Sequence, residues 1–285
     1  MSMLDSNLKI PLAKILDLEV NIDVVDIGAS PSGGAPPYQS LIDNNCASVV
    51  GFEPDQDALD VLNNNKKATD IYLPYAVGDG EMHEFKHCAA PEMSSLLEPN
   101  FKVLDFFHSF SDFARVIKRQ NITTKKLDEI REIKNIDLLK IDIQGGELIV
   151  FENAIKRLRN CCVIHTEVEF IELYLKQPLF SEIELFLRGL GFVFHKFVPL
   201  RSRVLKPMLV ENSRTAGLSQ IFDGDALFIR DFTKYDKTHP DRLLKSAIIL
   251  HDLYHSLDVV YQLLDAFDRR RKTKLAAKYM AAIAQ

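Results

Sequence analysis

Seven short apolar runs, separated by segments whose apolar residues recur every three or four positions, set the plan of this chain. The first run, Ile22 to Ile27, meets a loop of small residues at Gly28. Tyr38 to Asn44 reads as a short helix, and Ala47 to Phe52 as a second strand that ends at Glu53 and Pro54. Strand, tight turn, helix and strand make one βαβ unit of the kind that opens a nucleotide-type sheet. Further strands are expected over Ile71 to Val77, Ile136 to Ile143, Cys161 to Thr166, Phe192 to Phe197 and Asp225 to Asp231. An edge strand is expected at Met82 to Cys88. Asp55 suits the N-cap of a helix that stops at Asn63-Asn64-Asn65, and another helix should run from Glu147 to about Leu158. Ser181 and Glu184 have the spacing of a capping box for a helix reaching Leu190, with Gly191 as its stop.

Other stretches carry pattern with less certain use. Leu8 to Leu18 predicts a short leading helix. Phe106, Phe110, Phe113 and Ile117 share one face of a helix expected over Phe101 to Gln120, which either packs on the sheet edge or walls an acceptor site. Val198 to Gly224 lacks periodicity, carries Arg201, Arg203, Lys206 and Arg214, and is a candidate acceptor loop. Past Pro240 a seam of Leu243, Ala247, Leu250, Tyr254, Leu257, Tyr261, Leu264 and Phe267 predicts helices. That seam can dock on its own domain or join a second copy of the chain, which leaves a homo-oligomer open. Arg269 to Lys272 follows near a helix end, where cations are favoured.

Acids placed at strand ends carry the chemistry. Open α/β sheets bind ligands outside the carboxyl ends of their strands. A full G-x-G-x-x-G is absent; the loop reads G-A-S-P-S-G-G. Asp26 stands two residues before Gly28, where it would repel a pyrophosphate and attract a cation such as the sulfonium and ammonium of S-adenosylmethionine. Glu53 can accept both hydroxyls of a ribose, and Asp79 an adenine amino group. Asp142 and Glu167 end two more strands and are candidate general bases, Asp142 first. Glu147 is a candidate for orienting the acceptor, and His165 is either a packed core histidine or a base. His83 and His87, with Cys88 beside them, read as exposed strand histidines ahead of a metal site, so no metal is expected.

These motifs give the chain a family likeness. VVDIGA at Val24 to Ala29, VVGFEP at Val49 to Pro54 and LPYAVGDG at Leu73 to Gly80 resemble the FkbM-type methyltransferases. SSLLEP at Ser94 to Pro99, LLKIDIQGGE at Leu138 to Glu147 and TEVEF at Thr166 to Phe170 continue the resemblance. It implies an α/β, Rossmann-like, doubly wound, mostly parallel seven-stranded sheet. With the runs above, that places a methyltransferase domain over 1–235 and a C-terminal helical extension over 236–285. The implied cofactor is S-adenosyl-L-methionine, with Asp26, Gly28, Ala29, Ser30, Glu53, Pro54, Asp79 and Gln144 as its candidate contacts. The resemblance further implies O-methylation of a sugar hydroxyl on a glycan or natural product, with N-methylation by the same fold as the alternative. The chain departs from the family after the first glycine, where Ser30 to Pro37 replaces a shorter turn.

Composition narrows the field. A net charge of -5 lacks the basic footprint of nucleic-acid binding. The four cysteines form no C-x-x-C pair, which suits a reducing compartment. The first residues lack the basic start and apolar run of a signal peptide, and no stretch reaches a membrane span, so a cytoplasmic protein without membrane insertion is expected. A nicotinamide-dependent oxidoreductase and a non-catalytic scaffold are the other readings of this fold; Asp26 and the glycine spacing argue against the first.

Overall fold

A computed structural model describes residues 10–31 and 34–284. The start of the expected leading helix, the first nine residues, and Ser32 and Gly33 of the loop lie outside the described residues. In order, the elements are α1 (Leu12–Leu16), β1 (Ile22–Ile27), α2 (Gln39–Asp43), β2 (Ala47–Phe52), α3 (Gln56–Asn65), β3 (Ile71–Leu73) and β4 (Met82–Cys88). α4 (Phe101–Leu104), α5 (Phe110–Phe113), β5 (Val116–Thr123), β6 (Leu138–Ile141), α6 (Glu147–Glu152) and α7 (Ile155–Leu158) follow. β7 (Val163–Glu169), α8 (Phe180–Gly189), β8 (Phe192–Arg203), β9 (Gln220–Arg230), α9 (Pro240–Asp252), α10 (Leu257–Arg271) and α11 (Leu275–Ile283) complete the chain.

The main sheet has the order β3-β2-β1-β6-β7-β9-β8. β1 lies between β2 and β6, all parallel, while β9 runs antiparallel to both β7 and β8. It is the expected seven-stranded, mostly parallel, doubly wound sheet. Successive side chains alternate between its faces. Val25, Ile27, Leu139, Ile141 and Phe228 belong to one core with α6 and α8. Ile22, Val24, Leu138 and Leu227 belong to the other, under α2 and the C-terminal helices. Burial on both faces explains why β1 and β6 read as nearly continuous apolar runs.

The seam of the C-terminal helices meets the sheet. Leu243, Ala247, Leu250, Tyr254 and Leu264 are buried in the core that holds Ile22 and Val24. Leu264→Ala should therefore cost about 2–5 kcal/mol. Chemical unfolding at two protein concentrations checks this. A loss that shrinks at high concentration would place Leu264 in a contact between copies instead.

Several expected elements change. Pro74 lacks a ladder donor, so the third strand stops at Leu73, and Val77 makes only an isolated bridge to Lys125. The helix expected over Phe101 to Gln120 is two short turns broken at Ser109, whose φ is 69°, and then β5, which pairs antiparallel with β4. Val198 to Gly224 is strand at both ends, in β8 up to Arg203 and in β9 from Gln220; the two form a long hairpin whose register shifts three times. Each bulge reverses which residues face inward, and that erased the alternation. The helix expected to reach Leu158 is interrupted after Glu152. Asp55 caps α3 as expected, accepting from Ala58 N at 3.0 Å. The capping carboxylate of α8 is Glu182, which accepts from Leu179 N at 3.1 Å, while Glu184 pairs with Arg188.

Candidate active site

The carboxyl ends of β1, β2, β6 and β7 lie side by side in the parallel part of the sheet. Gly28 turns the chain out of β1 with φ of 82°. Its N–H and that of Ala29 both donate to Phe52 O, at 3.2 and 3.1 Å, which ties the loop to β2. Ser30 N donates back to Gly28 O at 2.9 Å. Beside the turn lies a small apolar cavity of about 60 Å³, lined by Gly28, Phe52, Pro54, Tyr75, Ala76 and Ile143 among others.

Two carboxylates flank the loop from the same face of the sheet. Glu53 is buried, and its Oε1 accepts from Asp55 N at 2.8 Å. Burial pushes it up to about 7. Asp26 is buried too; Tyr38 Oη donates to its Oδ2 at 2.6 Å. Its Oδ1 has no hydrogen-bond partner among the described residues, although Lys140 Nζ stands 3.4 Å away. Lys140 also donates to Gly28 O at 3.1 Å and lies 4.0 Å from Asp142. The row of acids is thus interrupted by one ammonium. The alternation in Leu138 to Asp142 marks Lys140 as facing the same way as Asp142, a signal present in the sequence but not used.

Asp142 directly follows β6, next to the Gly28 turn. Its side chain is ringed by protein yet 39% exposed. Gln144, held in the left-handed region at φ 59°, bridges two acids with one amide nitrogen. That nitrogen donates to Asp142 Oδ1 at 3.0 Å and to Glu167 Oε2 at 2.5 Å. Tyr174 Oη donates to Gln144 Oε1 at 3.1 Å, and Ser95 Oγ to Gln144 O at 2.6 Å. Gln144, expected to touch the cofactor, therefore serves here as a brace between carboxylates. Arg201, from the hairpin, lies 3.3 Å from Glu167 and 2.9 Å from Asp223.

The two acids are pushed apart. Burial opposes ionisation of Asp142, but the Lys140 ammonium and hydrogen bonds from Glu167 and Gln144 hold it below the usual carboxylate range. Burial and the neighbouring Asp142 drive Glu167 well above that range. The pair is thus biased in opposite directions, Asp142 towards its charged form and Glu167 towards its neutral one.

Other candidates sit elsewhere. Glu147 is only 1% exposed; its Oε1 accepts from Ile143 N at 2.8 Å, so it shapes the loop from beneath. Burial raises it to about 7. Asp79 is committed to a turn, contacting His83 at 2.8 Å, Thr124 at 3.1 Å and Glu81 N at 2.9 Å, and does not line the apolar slot. His165 Nδ1 meets Tyr254 Oη at 2.9 Å, and its Nε2 lies 3.7 Å from Asp225, which binds it into the C-terminal layer. Glu169 and Gln177, both buried, were not anticipated. No group of His, Cys, Asp and Glu able to hold a metal occurs among the described residues. Likewise no helix of the described residues is long and apolar enough to cross a membrane.

Six raised acids make stability depend on pH. Glu53, Asp137, Glu147, Glu167, Glu169 and Asp252 bind protons more tightly folded than unfolded. Stability should therefore fall as pH rises from about 4, the unfolded range of carboxyls, through about 7. The lowered acids, Asp79, Glu98, Asp142, Glu182 and Asp231, act below that window, and His195 and His251, lowered by burial, oppose the fall with two groups against six. A ligand-free Tm higher at pH 5.5 than at pH 7.5, read by scanning calorimetry, is the expected result.

The methyltransferase FkbM domain model matches residues 26–194, more than half of the chain. The chain belongs to the FkbM methyltransferase family. That places it among S-adenosylmethionine-dependent methyltransferases in fold and family. Curated proteins include no match to the chain. Among solved structures, a SAM-dependent methyltransferase from Aquifex aeolicus is 14% identical over 78% of this chain and 92% of its own, with a TM-score of 0.32. An antibiotic-related methyltransferase is 12% identical over 77% and 92%, at 0.34. LepI in complex with SAM is 10% identical over 78% of this chain, at 0.35, and the match spans only 47% of LepI. The family assignment rests on the domain match alone.

Proposed function

We propose that this FkbM-family protein transfers a methyl group from S-adenosylmethionine to a sugar hydroxyl on a glycan or natural product. The observation that carries the reading is the Asp142–Gln144–Glu167 brace beside the Gly28 turn, in which Asp142 leans towards its charged form and Glu167 towards its neutral one. A nitrogen acceptor that reaches the site already unprotonated would have little use for such a base.

The residues present fit the cofactor. Glu53 would accept from its ribose, the slot at Phe52, Pro54 and Tyr75 would take an aromatic base, and Asp26 presents a buried oxygen free of hydrogen bonds. Lys140 tempers the negative charge at Asp26, so these contacts favour a cation less than a bare row of acids would. When bound, S-adenosylmethionine supplies an electrophilic methyl on a sulfonium.

The chain's own residues then manage the acceptor. Asp142, ionised and partly open to solvent, can take the hydroxyl proton. Gln144 fixes its carboxylate, and Arg201 holds Glu167 through their contact at 3.3 Å. The bias of Glu167 towards its neutral form limits the negative charge beside Asp142, whose own charge is met by Lys140. Positioning of the acceptor can supply much of the remaining rate, roughly 7–11 kcal/mol at best.

The test is mass spectrometry of glycans and small glycosides incubated with the protein and labelled S-adenosylmethionine. A gain of one labelled methyl on a sugar oxygen is the expected product. Label found only on nitrogen, with none on oxygen, would overturn the acceptor assignment.

A further inference from the structure

The loop between β4 and α4 grips Gln144 from outside the strand ends. Ser95 is buried; its Oγ donates to Gln144 O at 2.6 Å and accepts from Leu97 N at 3.0 Å. The main chain of Ser95 is paired as well. Lys86 N donates to Ser95 O at 2.8 Å, and Ser95 N to Lys86 O at 3.1 Å, which anchors the hydroxyl on the β4–β5 ribbon. Lys86 Nζ adds a bond to Leu96 O at 2.9 Å. The side chain of Gln144 is held from the same loop: Tyr174 Oη, 3.1 Å from Gln144 Oε1, also lies 3.0 Å from Met93 O. An added Cβ on Gly145 would come within 3.0 Å of Leu97 Cδ1, so the loop lies close against the turn. Leu96 lines the apolar slot, so the consecutive residues 95–97 border both the slot and the turn.

The grip falls where the backbone needs it. Gln144 has φ of 59°, which a residue other than glycine keeps only where its surroundings fix it. Its one amide nitrogen serves two carboxylates, at 3.0 and 2.5 Å. Both bonds depend on where the backbone of Gln144 stands, and turning its peptide would carry the amide away from both acids.

We propose that Ser95 is a positioning residue: by tying the carbonyl of Gln144 to the β4–β5 ribbon, it sets the amide that spans Asp142 and Glu167. Its effect on turnover rests on the reading of Asp142 as the base. Ser95 acts through Gln144 and not on the acceptor.

Two measurements test this, one of them free of any methyl transfer. In ligand-free protein the side-chain amide of Gln144 should give distinct NMR signals, assigned by their loss in Gln144→Ala. Ser95→Ala should move them to the position of solvent-exposed glutamine amides. In turnover, Ser95→Ala should lower kcat about tenfold, the effect of one well-placed hydrogen bond. Ser95→Cys keeps a weaker donor of similar size and should lose less, and it carries the test if Ser95→Ala does not fold. Gln144→Ala should lower kcat at least as far, and adding Ser95→Ala to it should lower kcat no further. Circular dichroism shows which variants fold. Unchanged Gln144 signals in the folded Ser95 variants overturn the proposal, as do losses in kcat that multiply in the double variant. Displaced Gln144 signals in a protein that methylates no sugar would keep Ser95 as the residue that sets Gln144 and overturn the acceptor assignment instead.

Discussion

Asp142→Asn should lower kcat about 10²- to 10⁴-fold while the protein stays folded, the range expected when a general base is removed. Asparagine is nearly isosteric and can still accept from Gln144 Nε2, so the brace to Glu167 survives. What disappears is an oxygen able to take a proton. The affinity for S-adenosylhomocysteine should change little, because the contacts expected for the cofactor, at Glu53 and the apolar slot, involve other residues. A second consequence separates chemistry from structure. The charge of Asp142 is one cause of the raised proton affinity of Glu167. In Asp142→Asn that cause is gone, so Glu167 should ionise at lower pH than in the wild type. The residual rate should then climb with pH as Glu167 becomes available to accept the proton. Single-turnover measurements between pH 5.5 and 8.5 would show this. Wild-type turnover in the variant would remove Asp142 from the base role outright.

Much of this site was written plainly along the chain, and the remainder was hidden for identifiable reasons. β1, β2 and β6 are buried on both faces, so their apolar runs could be read directly, and the acids that punctuate them stood out against that background. β7 runs two residues past Glu167 to Glu169, and its buried polar residues leave no apolar run to mark that end. Arg201 was visible only as one cation in an aperiodic stretch. The bulges that re-aim it towards Glu167 are long-range pairings between β8 and β9, which no local pattern records. The aromatic face of Phe101 to Gln120 misled in a different way. Spacings of four, three and four satisfy a helix, yet of those phenylalanines only Phe110 packs on Phe222, beside Phe107, while Phe106 and Phe113 are exposed. Tertiary packing overrode a valid local period there. The role of the C-terminal seam, likewise, follows from which surface it meets. The heptad-like pattern alone suits a sheet face and a second helix equally.

Gly28→Ala should be the most damaging small substitution in the molecule. The position has φ of 82°, and an added Cβ would collide with the carbonyl oxygen of Asp142. Left-handed backbone at a residue other than glycine costs on the order of 1–3 kcal/mol. The collision adds to that, since the obstacle is main chain of the neighbouring strand end and not a flexible side chain. Relief requires β1 and β6 to separate at their carboxyl ends, where Asp142 N donates to Ile27 O at 3.1 Å. That movement would draw Asp142 away from the turn and loosen the tie between Gly28 N and Phe52 O. One methyl group therefore reaches both halves of the site. The total should be about 3 kcal/mol or more, corresponding to a fall in Tm of roughly 2–4 °C for each kcal/mol in a chain near this size. Binding of S-adenosylhomocysteine should be lost at temperatures where the variant is still folded by circular dichroism. Ala29→Gly, at the next residue, is the control: it removes a buried methyl without blocking the turn and should retain binding. Cofactor affinity surviving in folded Gly28→Ala would mean that the turn out of β1 is not where the donor is held.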